Sequence, residues 1–177
     1  KRGDDKPAFK DTETYKTRPT LLSDGVLVAH NAKFDIGILN NEGVATGRYI
    51  CTYKVAYRLY DYPNHKLQSL RYRWGIELDE ARAHDAEGDV LVLEKAFDHM
   101  LADYCQREKV SEEKAIEYFI QISKEPVLLK SLGLGKYKGM TFEEVKVKDV
   151  DYLIWMRDKM DNKTEDLIFT LEYHLGE

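Results

Sequence analysis

Two short runs in this sequence combine histidine with carboxylates at spacings that could do chemistry: His30-Asn31-Ala32-Lys33-Phe34-Asp35 and His84-Asp85-Ala86-Glu87-Gly88-Asp89. A carboxylate is a hard oxygen ligand for a cation, and an imidazole titrates near neutrality, where it can take a proton from water. Such groups must first be brought to a common edge. The short apolar run Val26-Leu27-Val28-Ala29 predicts a strand buried on both faces of a parallel sheet. Ligands and catalytic groups of open α/β sheets collect at the carboxyl ends of such strands, so Asp35, in the first turn of the next helix, would sit at that edge. His84 and Asp89 would straddle the start of another helix. Each group also has an ordinary reading: Asp35, Asp85, Glu87 and Asp89 all favour a helix N-terminus through the macrodipole, and His84 alone could be a surface or structural histidine.

The surrounding pattern supplies the elements. Asn31 reads as an N-cap for a helix through Phe34, Ile36, Ile38 and Leu39 that stops near Gly43. Tyr49-Ile50-Cys51 predicts a second strand and Thr52 the cap of a helix through Leu59, ended by Pro63 and Asn64. A helix from about Lys66 to Trp74 precedes Gly75, which stands where a left-handed C-terminal residue is wanted. The longest helix starts near Asp85, with Val90, Leu93, Ala96, Phe97, Met100, Leu101 and Tyr104 in a 3.6-residue rhythm. Ser111 opens a further helix to about Ser123. Beyond it, glycines at 133, 135 and 139 punctuate a hairpin, Thr141 and Glu144 form a capping box, and helices follow over about 150–159 and 164–174.

Composition excludes several classes. At 177 residues, 43% hydrophobic and 33% charged, the chain is too short for two large domains and too apolar for disorder. It has no apolar run approaching the roughly 18–20 residues of a membrane span and no secretory signal, so a soluble cytoplasmic protein without a membrane partner is expected. Cys51 and Cys105, with no CxxC spacing, support neither a zinc site nor a disulfide framework and read as buried or inert thiols. The net charge of −5 argues against gripping nucleic acid through overall basicity, yet leaves local patches open. The best patch is Arg48 to Arg73, with six Lys or Arg, one acid and six tyrosines. Cations neutralise phosphates and aromatics stack on unpaired bases, although tyrosines packing a helical edge would give the same composition.

HNxxFD after a buried strand, followed about 50 residues later by HxxxxD opening a long helix, resembles the DEDDh exonucleases. That group contains the proofreading subunit of bacterial replicative DNA polymerase. Ile50-Cys51-Thr52 and His65-Lys66-Leu67-Gln68-Ser69-Leu70 are similar to further stretches of that family, and the resemblance covers about residues 5 to 105. It implies an α/β, ribonuclease H-like sheet and release of nucleotides from 3′ ends, DNA more than RNA, by hydrolysis with two Mg²⁺ or Mn²⁺ ions. It further implies Asp35 and Asp89 as metal ligands, His84 as general base, and His30, Asn31 and Phe34 as groups that seat the terminal nucleotide, with a helix cap and a core aromatic as equally good readings of Asn31 and Phe34. The implied partners are DNA with single-stranded 3′ ends and a DNA polymerase, in a bacterial or phage-like cytoplasm. The competing reading is a non-catalytic nucleic-acid-binding or polymerase-associated protein that keeps the fold.

The family's first motif, a DxE pair ending the first strand, is matched in letters by Asp11-Thr12-Glu13. The match is expected to be accidental, because Lys6-Pro7-Ala8-Phe9-Lys10 contains two lysines and a proline that a central strand excludes. Only eleven residues, Tyr15 to Gly25, then remain for two strands and a helix. At roughly 5 residues per strand and 11 per helix these need over about 20. The first strands and two carboxylates are therefore expected to lie outside these 177 residues, in keeping with lysine, not methionine, at position 1. The resulting organisation is an N-terminally incomplete exonuclease domain (1–105), a helical connector (106–126) and a small α+β domain (127–177). The last is similar, through Gly135-Lys136-Tyr137-Lys138-Gly139-Met140-Thr141-Phe142, to an appendage of exonuclease X-like proteins. Lys136-Tyr137-Lys138 at a hairpin tip could touch DNA or be a solvated turn.

Overall fold

The computed structural model describes residues 13, 16, 25–77 and 86–176. In chain order the elements are β1 (Val26–Ala29), α1 (Ala32–Asn41), β2 (Arg48–Cys51), α2 (Thr52–Leu59), α3 (Leu67–Arg73), α4 (Ala86–Glu108), α5 (Glu112–Lys124), α6 (Phe142–Lys159) and α7 (Glu165–Leu175). This is an α/β chain, mostly helical, in two compact units, Lys1–Lys124 and Glu125–Glu177. No helix among the described residues is long and apolar enough to cross a membrane.

In the first unit β1 and β2 pair in parallel, with Val26 opposite Arg48 and Ala29 opposite Cys51. Parallel strands cannot be joined by a tight turn, and α1 is the crossover between them. The expectation that β1 is buried on both faces is corrected: Val26, Leu27 and Val28 are half-buried and only Ala29 is buried. Among the described residues the sheet has two strands, so β1 is an edge, and part of its apolar surface lines an open cleft.

Helical periodicity builds the core beside β2. Thr52, Val55 and Ala56 form the buried face of α2, and Gly88, Val92, Ala96 and Met100 run at four-residue intervals along α4. Helix α5, which the sequence suggests as a connector, packs on β2, α2 and α4 within this unit. Phe119 of α5 is fully buried at the centre of the resulting cluster with Ile50, Val55, Leu70 and Met100, and its ring meets those of Phe97, Tyr104 and Tyr118. Ser123 closes the strand end: its Oγ accepts from the Cys51 amide at 2.8 Å and donates to the Phe119 carbonyl at 2.6 Å. The burial of Cys51 agrees with an inert thiol, and Cys105 is free as well.

In the second unit the capping box forms as the sequence predicts. The Thr141 amide donates to Glu144 Oε2 at 2.8 Å, and the Glu144 amide donates to Thr141 Oγ1 at 3.2 Å. The two helices expected on either side of about residue 150 join in α6 across a kink at Asp149, whose Oδ1 accepts from the Tyr152 amide at 3.2 Å and so caps the second half. The glycine-rich segment is a loop, not a stranded hairpin, closed by a single antiparallel bridge between Ser131 and Thr141. Gly135 lies at φ 75°, and a Cβ there would stand 2.1 Å from Tyr152 Oη, so both backbone and space require glycine. Tyr137 is not a surface tip residue: it is buried, and its hydroxyl donates to Asp149 Oδ2 at 2.8 Å, beside the Lys136 ammonium at 2.9 Å.

Phe119→Ala is expected to lower unfolding free energy in urea by about 3–5 kcal/mol, the transfer loss plus the cavity left in a core with no solvent access. A loss below about 1 kcal/mol would contradict its central position.

Candidate active site

Because β1 and β2 run parallel in register, both end at the same edge of the sheet, and the sequences that follow each strand meet there. After Ala29 the backbone turns through Asn31 in the left-handed region (φ 67°, ψ 50°), a conformation asparagine tolerates better than most residues. Asn31 holds the N-cap position of α1, but its side chain makes no capping hydrogen bond. After Cys51, Thr52 does not cap α2 as expected; it is the first residue of that helix, with Cys51 at the cap position. Its hydroxyl is used across the strands, donating to the Ala29 carbonyl at 3.3 Å and lying 3.0 Å from His30 Nδ1.

Thr52 is thus the partner of His30 Nδ1, and the direction of that hydrogen bond follows the ring's tautomer. Nε2 is buried and has no hydrogen-bond partner among the described residues. Burial is the main force pushing the His30 pKa from 6.5 down to about 4; the His65 backbone opposes the shift and the His65 charge adds to it. His30 is neutral at physiological pH.

The edge opens into a cleft of about 510 Å³ lined by Leu27, Val28, Ala29, His30, Asp35, Ile38, Leu39, Leu67, Asp89, Val90 and Leu93. The first turns of α1 and α4 therefore bring Asp35 and Asp89 to one concavity. Among the described lining residues there is no lysine or arginine; the polar ones are Asp35, Asp89 and His30, on an apolar wall. The donor chemistry suits a hard divalent cation, and Asp35 and Asp89 fit as part of its ligand set. Among the described residues no three of His, Cys, Asp and Glu are grouped to hold a metal.

Of the other residues singled out from sequence, His84 and Asp85 lie outside the described residues, as do Asp11 and Thr12. Glu13 is helical, exposed and paired with Lys16 at 2.5 Å, unlike a residue ending a central strand. Phe34 is 67% exposed, which removes the alternative of a core aromatic. Composition missed Gln68, whose Nε2 donates to Asp89 Oδ1 at 2.7 Å; the only signal was its place in the stretch His65 to Leu70. Val90, 61% exposed on the outer side of α4, belongs to the cleft and not to the core face.

The stretch Arg48 to Arg73 does not present its cations on one face. Lys54 is buried, Arg48 pairs with Glu117, and Arg73 lies 4.3 Å from the Tyr62 ring centroid. Tyr60 and Tyr62 stack at 5.1 Å, and Tyr53, Tyr57 and His65 pack together, so these tyrosines mainly build a helical edge. Tyr72, 77% exposed, is the exception.

A family model described as 3′–5′ exonuclease matches residues 5–118. Exodeoxyribonuclease 10 of Escherichia coli strain K12 is 28% identical over 151 residues, 84% of this chain, and the protein of the same name from strain O6:H1 matches equally. The chain spans 64% of the length of these relatives. No solved structure matches it.

The depressed His30 pKa has a stability consequence. Between pH 6.5 and about 4 the unfolded chain binds a proton that the folded chain refuses, so stability falls as pH is lowered through that window and levels off below it. Urea titrations across this range should show a loss of up to about 3 kcal/mol attributable to His30, and His30→Asn should flatten it. An identical pH slope in that variant would contradict the buried neutral imidazole.

Proposed function

This chain belongs to the 3′–5′ exonuclease family, and on that premise we propose that it hydrolyses the terminal phosphodiester bond at nucleic-acid 3′ ends in the cleft of Asp35 and Asp89. The observation that carries the reading is that these two carboxylates, from separate motifs, line one cleft at the carboxyl ends of β1 and β2. DNA is the preferred substrate, a choice supported by the name of the E. coli relatives. Full activity also calls for the first-motif carboxylates and the ribonuclease H-like sheet that the family resemblance implies.

A pair of Mg²⁺ or Mn²⁺ ions would be held in part by Asp35 and Asp89 and would supply charge neutralisation and a more acidic water. The residues of the chain do the rest. His84 accepts the proton of the attacking water as its oxygen bonds to phosphorus. The P–O3′ bond breaks, the 3′-oxygen stays on the shortened strand, and the terminal unit leaves as a 5′-monophosphate. Leu27, Leu39, Leu67, Val90 and Leu93 give the cleft an apolar wall, and the exposed ring of Phe34 offers a stacking face for the terminal base, which Asn31 and His30 help to seat.

Release of labelled nucleotide from a 3′-labelled single-stranded oligodeoxynucleotide tests the roles. Asp35→Asn, Asp89→Asn and His84→Ala should each lower the rate by about 100-fold or more with an unchanged circular dichroism spectrum. Near-normal release in any of them removes that residue's role. Binding of the oligonucleotide with no Mg²⁺- or Mn²⁺-dependent release by the unaltered protein would favour the non-catalytic reading.

A further inference from the structure

We propose that Gln68 is the positioning residue of Asp89, orienting its carboxylate toward a divalent cation through a relay anchored by Arg71 and the turn at Gly75; this rests on the cation reading of the cleft given above. The relay is continuous. Gln68 Nε2 donates to Asp89 Oδ1 at 2.7 Å, and Gln68 Oε1 accepts from Arg71 Nη1 at 3.4 Å. Arg71 in turn donates through Nε to the Ile76 carbonyl at 3.3 Å, while its own carbonyl accepts from the Ile76 amide at 2.9 Å. Gly75 makes that closure possible by turning the chain at φ 61°.

Each link settles the next. An amide can be placed with its oxygen and nitrogen exchanged, but an arginine only donates, so Arg71 forces the Gln68 oxygen toward itself and the NH₂ toward Asp89. Gln68 and Arg71 stand three residues apart on α3, a spacing that puts them on one helix face. Asp89 Oδ2 has no hydrogen bond among the described residues, so the relay ties one oxygen and leaves the other for a ligand.

The neutrality of the intermediary matters. A guanidinium set directly on Asp89 would neutralise the carboxylate and compete with a cation. With a carboxamide between them, Asp89 is held in orientation and keeps its charge, while the arginine acts only at second hand. Groups that hold a ligating carboxylate in this way typically contribute 10–100-fold in metal affinity or activity.

The test is made on the intact protein with Mn²⁺ as probe, its binding followed by the loss of the free-ion paramagnetic resonance signal, beside nucleotide release and thermal unfolding. Gln68→Leu keeps the bulk and removes the amide. It should weaken Mn²⁺ binding about 10–100-fold and raise the Mn²⁺ concentration needed for half-maximal release, with the unfolding midpoint unchanged. Arg71→Ala should act in the same direction and more weakly. Wild-type Mn²⁺ binding in Gln68→Leu, with binding lost in Asp89→Asn, would overturn this inference alone. Wild-type Mn²⁺ binding in both Gln68→Leu and Asp89→Asn would overturn the cation reading of the cleft and the inference with it.

Discussion

The parallel pairing of β1 with β2 is the constraint on which the rest of the first unit depends. Parallel strands require a crossover, and α1 supplies it; the register then sets Ala29 against Cys51, so that the segments leaving both strands meet at one edge. Thr52 joins them by bonding to the Ala29 carbonyl and to His30, and Ser123 satisfies the Cys51 amide from a helix far along the chain. The edge is held by three polar contacts inside an apolar surround, which gives the cleft a fixed floor.

Electrostatics within that cleft follow from what borders it. Desolvation keeps His30 uncharged, and Gln68 is hydrogen-bonded to both Arg71 and Asp89. Asp35 and Asp89 border an apolar wall, with no lysine or arginine among the described lining residues. The tyrosine-rich stretch beside it is a different device. Tyr60 and Tyr62 stack on each other and meet Trp74 edge to face, so its rings pack the edge beside α3.

The second unit is organised around one carboxylate. Asp149 interrupts α6, caps its second half, and accepts from both Lys136 and Tyr137 of the glycine-rich loop; Lys136 first, and Tyr137 after it, hold its carboxyl below the usual carboxylate range. The glycine-rich loop, closed by its own backbone hydrogen bonds between Leu132 and Gly139 and Met140, is thus also fastened to a helix kink by side chains, beside a core of Leu132, Phe142, Val145, Leu153 and Leu171.

Much of this was legible in the residues themselves. Apolar periodicity placed α1, β2, α2, α3, α4 and α5 to within a few residues, and the Thr141–Glu144 box and the glycine after α3 marked ends whose causes are local. The HNxxFD and HxxxxD runs singled out Asp35 and Asp89 by residue type, and the fold brings both to one cleft. Other features are set by neighbours distant in sequence. Whether β1 is buried depends on how many strands flank it; whether Tyr137 and the Arg48–Arg73 tyrosines face solvent depends on which helices lie over them. The partnership of Gln68 with Asp89 exists only because α3 packs on α4. Local periodicity and capping are decided within one turn or one strand, so the sequence determined them alone. Burial, the neutrality of His30 and the orientation of a carboxylate are sums over contacts between remote segments, and only the tertiary structure decided those.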